Sequence, residues 1–399
     1  MRFLHTADWH LGKTLRHLSR LDEAWAVLQE VLGIAITERV DCVLIAGDVY
    51  DSLMPPPEAE EMVYELCRRL VERRIRAVII GGNHDHPRRL AAAGRILDLV
   101  GVHVLGEVDL QREERHVVSV PSRDGEEEAT VAMLPWLREG VARRWAHLTG
   151  EAPESPVARY AEVLKRAMAW LSGLVRPGKV AVLLAHLMVD GAVVGGAAAG
   201  ERELHLGQVY AVPPQMLPNG FHYIALGHVH RPQEVKAAPS PARYAGSIMQ
   251  LDFGEEGQEK QVVLVDIDPR THTVHATPVR LSGGKRLASL GAPDRPLPMS
   301  ELEKLAGTPM DADYLRVYVR AEGPTTGLLA QVQKLLPGAV DVIPVRAGSS
   351  GGEERVPLRT LQPDELLCLY HRREYGRDPD PEVMALFRRL WDEVAHEAR

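Results

Sequence analysis

Three times in the first hundred residues an apolar run stops on a small residue and is followed at once by ionisable side chains: "RFLHTADWH", "CVLIAGDVYD" and "AVIIGGNHD". The stretches between these runs have a different period. In "RLDEAWAVLQEVLGIAITERV" the apolar residues Trp25, Leu28, Leu32, Ala35 and Ile36 recur at helical spacing. "PPPEAEEMVYELCRRLVERR" opens on prolines and acids and closes on arginines, the order that the helix dipole favours. Strand, helix, strand, helix, strand amounts to two βαβ units. It predicts a layered α/β fold with helices on both faces of a sheet.

Further strands are predicted at "TVAMLPW", "KVAVLLAHLMV", "FHYIALGH" and "QVVLVDI". Ser122 to Ala129, "SRDGEEEA", reads as an acidic hairpin turn. Asp190 to Gly200, "DGAVVGGAAAG", has no period and reads as a mobile loop. After residue 280 the character changes. "GGKRLASLGAPDRPLPMS" reads as a linker, and the segment beginning at Asp311 reads strand, helix, strand. "SSGGEE" is a second join, and the tail reads as two helices separated by Gly376 and Pro379. In the last helix Asp380 is placed as the N-cap and Pro381 in the first turn. Val383, Leu386, Phe387, Leu390, Trp391 and Val394 share one face. At 399 residues the chain suits two or three domains. The boundaries fall at residues 1–280, 281–352 and 353–399.

Composition excludes several classes. With 45% hydrophobic and 26% charged residues, disorder is not the overall state. The three cysteines, Cys42, Cys67 and Cys368, are widely spaced with no C-x-x-C, so neither a disulfide framework nor a structural zinc site is indicated. The start carries no secretory pattern, and no apolar run approaches the roughly 20 residues of a membrane span. A cytoplasmic, reducing location is the expectation. The net charge of −8 argues against nucleic acid only weakly, because local basic patches are what touch phosphates.

The chemistry collects at the strand ends. "HTADWH" supplies Asp8 and His10, "IAGDVYD" Asp48 and Asp51, "GGNHD" Asn83 and His84, "LLAHL" His186, and "LGHVH" His228 and His230. In an open α/β sheet ligands bind beyond the carboxyl ends of the strands, so these groups are expected on one rim. On extended backbone, residues i and i+2 point the same way, which would let Asp8 with His10, and His228 with His230, act as pincers. Each piece alone has a bland reading. Asp-x-His is usually a solvated loop, and a lone His186 in an apolar strand is usually a satisfied core histidine. The ordered set is far more specific. Mixed carboxylate, imidazole and amide donors suit Mn²⁺, Fe²⁺ or Zn²⁺. Seven donors suit two ions about 3.5–4 Å apart that share a carboxylate.

The pattern D-x-H, GD, GNHD, H, GH-x-H resembles the calcineurin-like metallophosphoesterase superfamily. The flanking segments "GDVYDSLMPPPEA", "HLMVDG", "ALGHVHRPQEV", "YAGSIMQLDFGE" and the tail "LQPDELLCLYHRREYGRDPDPEVMALFRRL" are similar to its SbcD family of DNA nucleases. The resemblance implies a two-sheet sandwich flanked by helices, a small α/β capping domain and a C-terminal helical tail. It implies two Mn²⁺ sites, one held by Asp8, His10, Asp48 and His230, the other by Asp48, Asn83, His186 and His228, with Asp48 bridging. His84 would not be a ligand but would serve the leaving oxygen. Asp51 stands where related phosphatases carry the aspartate that orients the catalytic histidine, and it is assigned that role towards His84. The alternative is that it caps a turn. Gly81 and Gly82 are read as setting the unusual turn before Asn83.

The metal pattern by itself says phosphoester hydrolysis. A small-molecule cyclic-nucleotide or nucleotide phosphodiesterase is the alternative to a nuclease, and a scaffold without metal is a third class, disfavoured because all seven positions are filled. Arg88, Arg89, Arg138, Arg143, Arg144 with Trp145, and Arg231 could hold a phosphate backbone. The resemblance further implies DNA as substrate, a homodimer within a heterotetramer, and an SbcC-like ATPase docked on the C-terminal helices. The helix "LDEAWAVLQEVLG" is a candidate dimer surface.

Overall fold

The computed structural model describes residues 1–109, 112–138, 141, 156–175, 178–194, 211–308, 312–321, 325, 327–346, 364–368, 371 and 378–397. Two six-stranded sheets dominate it. In the first, strands Arg2–Thr6, Cys42–Ile45, Arg76–Ile80 and Val102–Leu105 run parallel, and Gln261–Ile267 and Val274–Arg280 add antiparallel on one edge. In the second, Glu128–Leu134, Val180–His186, Tyr223–Gly227 and Ala242–Tyr244 run parallel between antiparallel edges Val117–Pro121 and Gln233–Glu234.

The two sheets stack face to face. Phe3, Leu44, Val78 and Ile80 of the first meet Val131, Val182, Leu184 and Tyr223 of the second in one buried cluster. The alternate residues Leu4, Val43, Ile45 and Ile79 point outward, against Val27, Leu28, Val63 and Leu66 of helices Leu21–Thr37 and Pro57–Glu72. Both faces are dry, which is why these strands read as unbroken apolar runs rather than as alternation. Each fully buried Leu or Ile contributes about 1.5–3 kcal/mol. Helix Pro156–Leu174 covers the outer face of the second sheet through Val163, Leu164, Met168 and Leu171. Helices therefore do not lie on both faces of one sheet, as the βαβ pattern alone suggests. Each sheet has helices on one face and the other sheet on its second.

The acidic turn lies where expected, joining the hairpin Val117–Pro121 and Glu128–Leu134. The loop from Asp190 is described only as far as residue 194. Beyond residue 280 a three-stranded parallel sheet forms from Leu287–Leu290, Tyr314–Ala321 and Ala339–Arg346, with helices Met299–Leu305 and Leu328–Leu335 packed on it through Leu302 and Val332. The linker reading is thus corrected at "LASL", which is an edge strand. Four residues between Arg286 and Gly291 carry no periodic signal, and pairing with Tyr314–Val317 decides their state. The "SSGGEE" join lies outside the described residues. The last helix, Pro381–Glu397, begins one residue after Asp380, whose carbonyl accepts from the Met384 N–H at 3.1 Å. Val383, Leu386, Leu390 and Trp391 are 43–51% exposed, and the rings of Phe387 and Trp391 lie tilted against each other with centroids 5.9 Å apart. The side chain of Val394 lies outside the described residues.

Candidate metal centre

The parallel strands of both sheets end on one rim, and their loops are stitched across it. Asp8 N–H donates to Gly47 O at 3.0 Å, Trp136 N–H to Gly81 O at 2.9 Å, and His228 N–H to Asp8 Oδ1 at 2.9 Å. Asp8, His10, Asp48, Asn83, His84, His186, His228 and His230 all converge there. Among the described residues three groups can hold a metal ion: Asp8, His10, His230; His10, Asp48, His84; and Asp48, His186, His228.

The backbone that delivers them is not extended. Asp8, His10, Asp48 and His228 have φ of 51°, 46°, 48° and 103°. Non-glycine residues in this region cost of order 1–3 kcal/mol each and persist only where the surroundings over-determine them. The pincers work because each loop turns left-handed, not because i and i+2 share a strand face. Gly81 and Gly82 also serve differently from expected. Neither has positive φ, but a Cβ on Gly82 would stand 2.1 Å from Asp48 Oδ1 and one on Gly81 2.4 Å from Gly106 O. They are glycines because the loops pass so closely.

Hydrogen bonds set the imidazole tautomers. His186 Nδ1 lies 2.7 Å from Ala46 O, His230 Nδ1 2.8 Å from Glu255 Oε1, and His10 Nδ1 3.2 Å from Asp51 Oδ1. Each Nδ1 donates to an oxygen, so each Nε2 offers a lone pair inward. His10 Nε2 and His230 Nε2 then face each other at 3.1 Å. Two lone pairs at that distance repel unless a cation or proton sits beside both. Asp48 Oδ2 stands 3.6 Å from His10 Nε2 and 3.5 Å from His186 Nε2, between the two ends of the cluster. Donors held about 2.1 Å from one ion lie roughly 3–3.5 Å apart, so these spacings fit ligation rather than mutual hydrogen bonding. Asn83 Oδ1 is 3.0 Å from both His186 Nε2 and His228 Nδ1. His228 Nε2 is buried with no partner. The donor set fits divalent metal.

The charges are strongly coupled. Burial pushes the Asp8 carboxyl up to about 6, against the pull of His186 and His230. Burial acts the same way on Asp48, but the nearby charge of His186, with His10 and His84, brings it well below the usual carboxylate range. Burial lowers His228 to about 3. His186 is desolvated too, yet with no ion bound Asp48 and Asp8 raise it to about 9.

His84 is half-buried at the mouth. Its N–H donates to Asp48 Oδ1 at 2.9 Å, and its ring centroid is 4.7 Å from that of His10. Its Nδ1 lies 2.9 Å from Asp51, but from the main-chain O. The assignment of Asp51 is corrected accordingly. Its carboxylate holds His10 and accepts from Lys13 Nζ at 3.1 Å, while its carbonyl orients His84. A sequence motif names a residue but not which of its oxygens arrives.

Four positioning residues escaped sequence reasoning. Buried Asp85 accepts from the N–H groups of Gly82, Tyr50 and Val49 at 2.8, 2.9 and 3.2 Å, clamping two metal loops together. It closes the quoted "GNHD", and that was its one signal. Trp136 stacks on His228 at 4.9 Å. Glu255, 1% exposed, is itself held by Lys260 Nζ at 2.7 Å. Of the arginines, Arg89 is paired with Glu60 at 2.6 Å and Arg138 donates to Asp85 O at 2.7 Å, whereas Arg88 and Arg231 are exposed. Arg143, Arg144 and Trp145 lie outside the described residues.

Residues 1–232 match the family model described as calcineurin-like phosphoesterase. The chain is 33% identical to the D subunit of nuclease SbcCD from Bacillus subtilis, covering 100% of this chain and 99% of that relative. It is 33% identical to the protein of the same name from Rhodobacter capsulatus over 87% of this chain and 86% of the relative. For that of Escherichia coli K12 the identity is 32%, over 66% of this chain and 64% of the relative.

Proposed function

The chain belongs to the calcineurin-like phosphoesterase family, and on that premise we propose that it is the nuclease subunit of an SbcCD-type complex, cutting the phosphodiester bonds of DNA. The family's chemistry is hydrolysis of phosphoesters at a two-metal site. DNA as substrate rests above all on one observation: the likeness to a protein named as a nuclease component runs end to end, through the small sheet and the tail as well as the metal loops. The activity includes exonuclease action on duplex ends and endonuclease action on single strands and hairpins.

Asp8, His10, Asp48 and His230 would hold one ion, and Asp48, Asn83, His186 and His228 the other, with Mn²⁺ the preferred metal. When bound, such a pair polarises the phosphoryl oxygens and lowers the pKa of a water. The rest is the work of side chains. Asp48 places one carboxylate against both pockets. Asp51 and Glu255 fix His10 and His230 with Nε2 inward. His84, tied at Nδ1 by the Asp51 carbonyl, presents Nε2 to the mouth and holds a proton for the leaving oxygen. Arg88 and Arg231 are free to grip the flanking phosphates.

Residues 1–280 act as the catalytic domain, 281–352 as the DNA-facing cap, and 353–399 as the dock for an SbcC-like ATPase, whose anchor is the exposed face of the last helix. The dimer surface moves from its first candidate. The apolar face of Leu21–Thr37 is buried in the core. Ile96 and Leu99, 72% and 85% exposed, with Val100, offer a second copy an apolar surface instead. The complex works in the cytoplasm, and among the described residues no helix is long and apolar enough to cross a membrane.

The test is Mn²⁺-dependent cleavage of linear duplex and hairpin DNA beside cyclic nucleotides and bis-p-nitrophenyl phosphate. DNA cleavage that vanishes with chelator supports the reading. Turnover of cyclic nucleotides with DNA untouched would replace it with a small-molecule phosphodiesterase.

A further inference from the structure

One turn of chain touches both the metal pocket and the small sheet. It comprises residues 250–256, with a 3-10 turn at Phe253–Glu255. On one side the Glu255 carboxylate receives His230 Nδ1 at 2.8 Å. On the other the turn carries the small sheet. Gln250 Oε1 accepts from Leu287 N–H at 2.8 Å, and Glu256 Oε2 from Ser289 N–H at 3.1 Å. Arg316, from the central strand of that sheet, lies with its guanidinium 4.4 Å from the centre of the Phe253 ring. Its Nη2 is 3.6 Å from Asp252 Oδ1, and its Nε donates to Asp341 at 2.7 Å.

Arg316 is 4% exposed. Burying a guanidinium costs several kcal/mol unless it is paired and its donors are satisfied. Its bond to Asp341 lies within the small sheet, and the Asp252 ion pair and the Phe253 ring are the contacts by which it reaches across to the turn. The turn is stiff. The Asp252 carboxylate caps the Phe253 N–H at 2.6 Å, and the Asp252 carbonyl accepts from the Glu255 N–H at 2.9 Å. Asp252, which meets Arg316, and Glu255, which meets His230, are thus joined by a direct main-chain bond.

We propose that Arg316 is a positioning residue for His230. Through Asp252, Phe253 and Glu255 it ties the seating of the small sheet to the geometry of the first metal pocket. The inference rests on the reading of His230 as a ligand. A sheet pulled away from the turn by DNA or a partner would loosen His230, and a sheet seated on it would lock the imidazole.

The experiment uses the full chain carrying Arg316→Met, Arg316→Lys, Asp252→Asn and Glu255→Gln. Two quantities are read: the His230 ring signals in ¹⁵N NMR of metal-free protein, and the Mn²⁺ binding isotherm. Glu255→Gln is expected to weaken one of two Mn²⁺ events by roughly 10–100-fold, the usual effect of losing a ligand's own partner. Arg316→Met, one step further out, is expected to shift the His230 signals and weaken the same event by about 3–10-fold, with Arg316→Lys recovering part of it. If Arg316→Met does not fold, Asp252→Asn, which keeps the cap, must move the same signals. Arg316→Met or Asp252→Asn with parental His230 signals and isotherm, while Glu255→Gln weakens one event, overturns the coupling alone. Two unchanged Mn²⁺ events in both Glu255→Gln and His230→Ala overturn the ligand reading beneath it.

Discussion

Replacing His84 by glutamine separates proton donation from metal holding. The ring sits half-buried at the mouth with Nδ1 on the Asp51 carbonyl, leaving Nε2 for the substrate. Glutamine can keep a bond to that carbonyl but cannot deliver a proton. The structural loss is at most one hydrogen bond, about 0.5–1.5 kcal/mol. At about 2–4 °C per kcal/mol for domains of this size, the melting temperature should fall by only a few degrees. The catalytic loss should be far larger, about 10²–10⁴-fold in kcat on DNA, which is roughly 2.7–5.4 kcal/mol of barrier. The leaving group provides the control. DNA expels an alkoxide that needs a proton, whereas bis-p-nitrophenyl phosphate expels a phenolate that leaves unaided. His84→Gln should therefore cripple hairpin or duplex cleavage while retaining most of its activity on the nitrophenyl ester. Mn²⁺ isotherms should match the parent. Equal losses on both substrates would refute proton donation, and loss of an Mn²⁺ event would make His84 a ligand.

Asp48→Asn should weaken both Mn²⁺ events, because Oδ2 stands between His10 and His186, whereas Asp8→Ala should chiefly remove one; two full-occupancy ions in crystals of Asp48→Asn would end the bridging role. Asp85→Ala deletes the acceptor of three main-chain N–H groups. It should cost about 3–5 kcal/mol in chemical denaturation, and a loss below about 1 kcal/mol would show that the clamp is dispensable. Phe387→Glu with Leu390→Glu should leave nitrophenyl ester hydrolysis intact and abolish co-purification with the proposed SbcC-like ATPase. Unchanged co-purification, or an early melt, would instead assign the helix face another role.

Much of the fold and site was legible because it is written locally. An apolar run of four or five residues demands burial on both faces, and the turn that follows it must carry its own polar groups. Asp8 with His10, Asp48 with Asp51, and Asn83 with His84 could be read from such single turns. What lay out of reach depends on distance after folding. A second sheet, rather than helices, covers the inner face of the first, because Val182 and Tyr223 meet Leu44 and Val78. His10 Nε2 meets His230 Nε2 across 220 positions of chain, and Glu255 reaches His230 from a turn with no pattern of its own. The four residues of "LASL" become a strand because a neighbour is present to pair with them. Asp51 shows the division within one residue. The sequence determined that a carboxylate stands beside the metal loops. Only the packed turn decided that this carboxylate serves His10 while the carbonyl serves His84, since both groups hang on one Cα and the surrounding backbone sets which faces which ring.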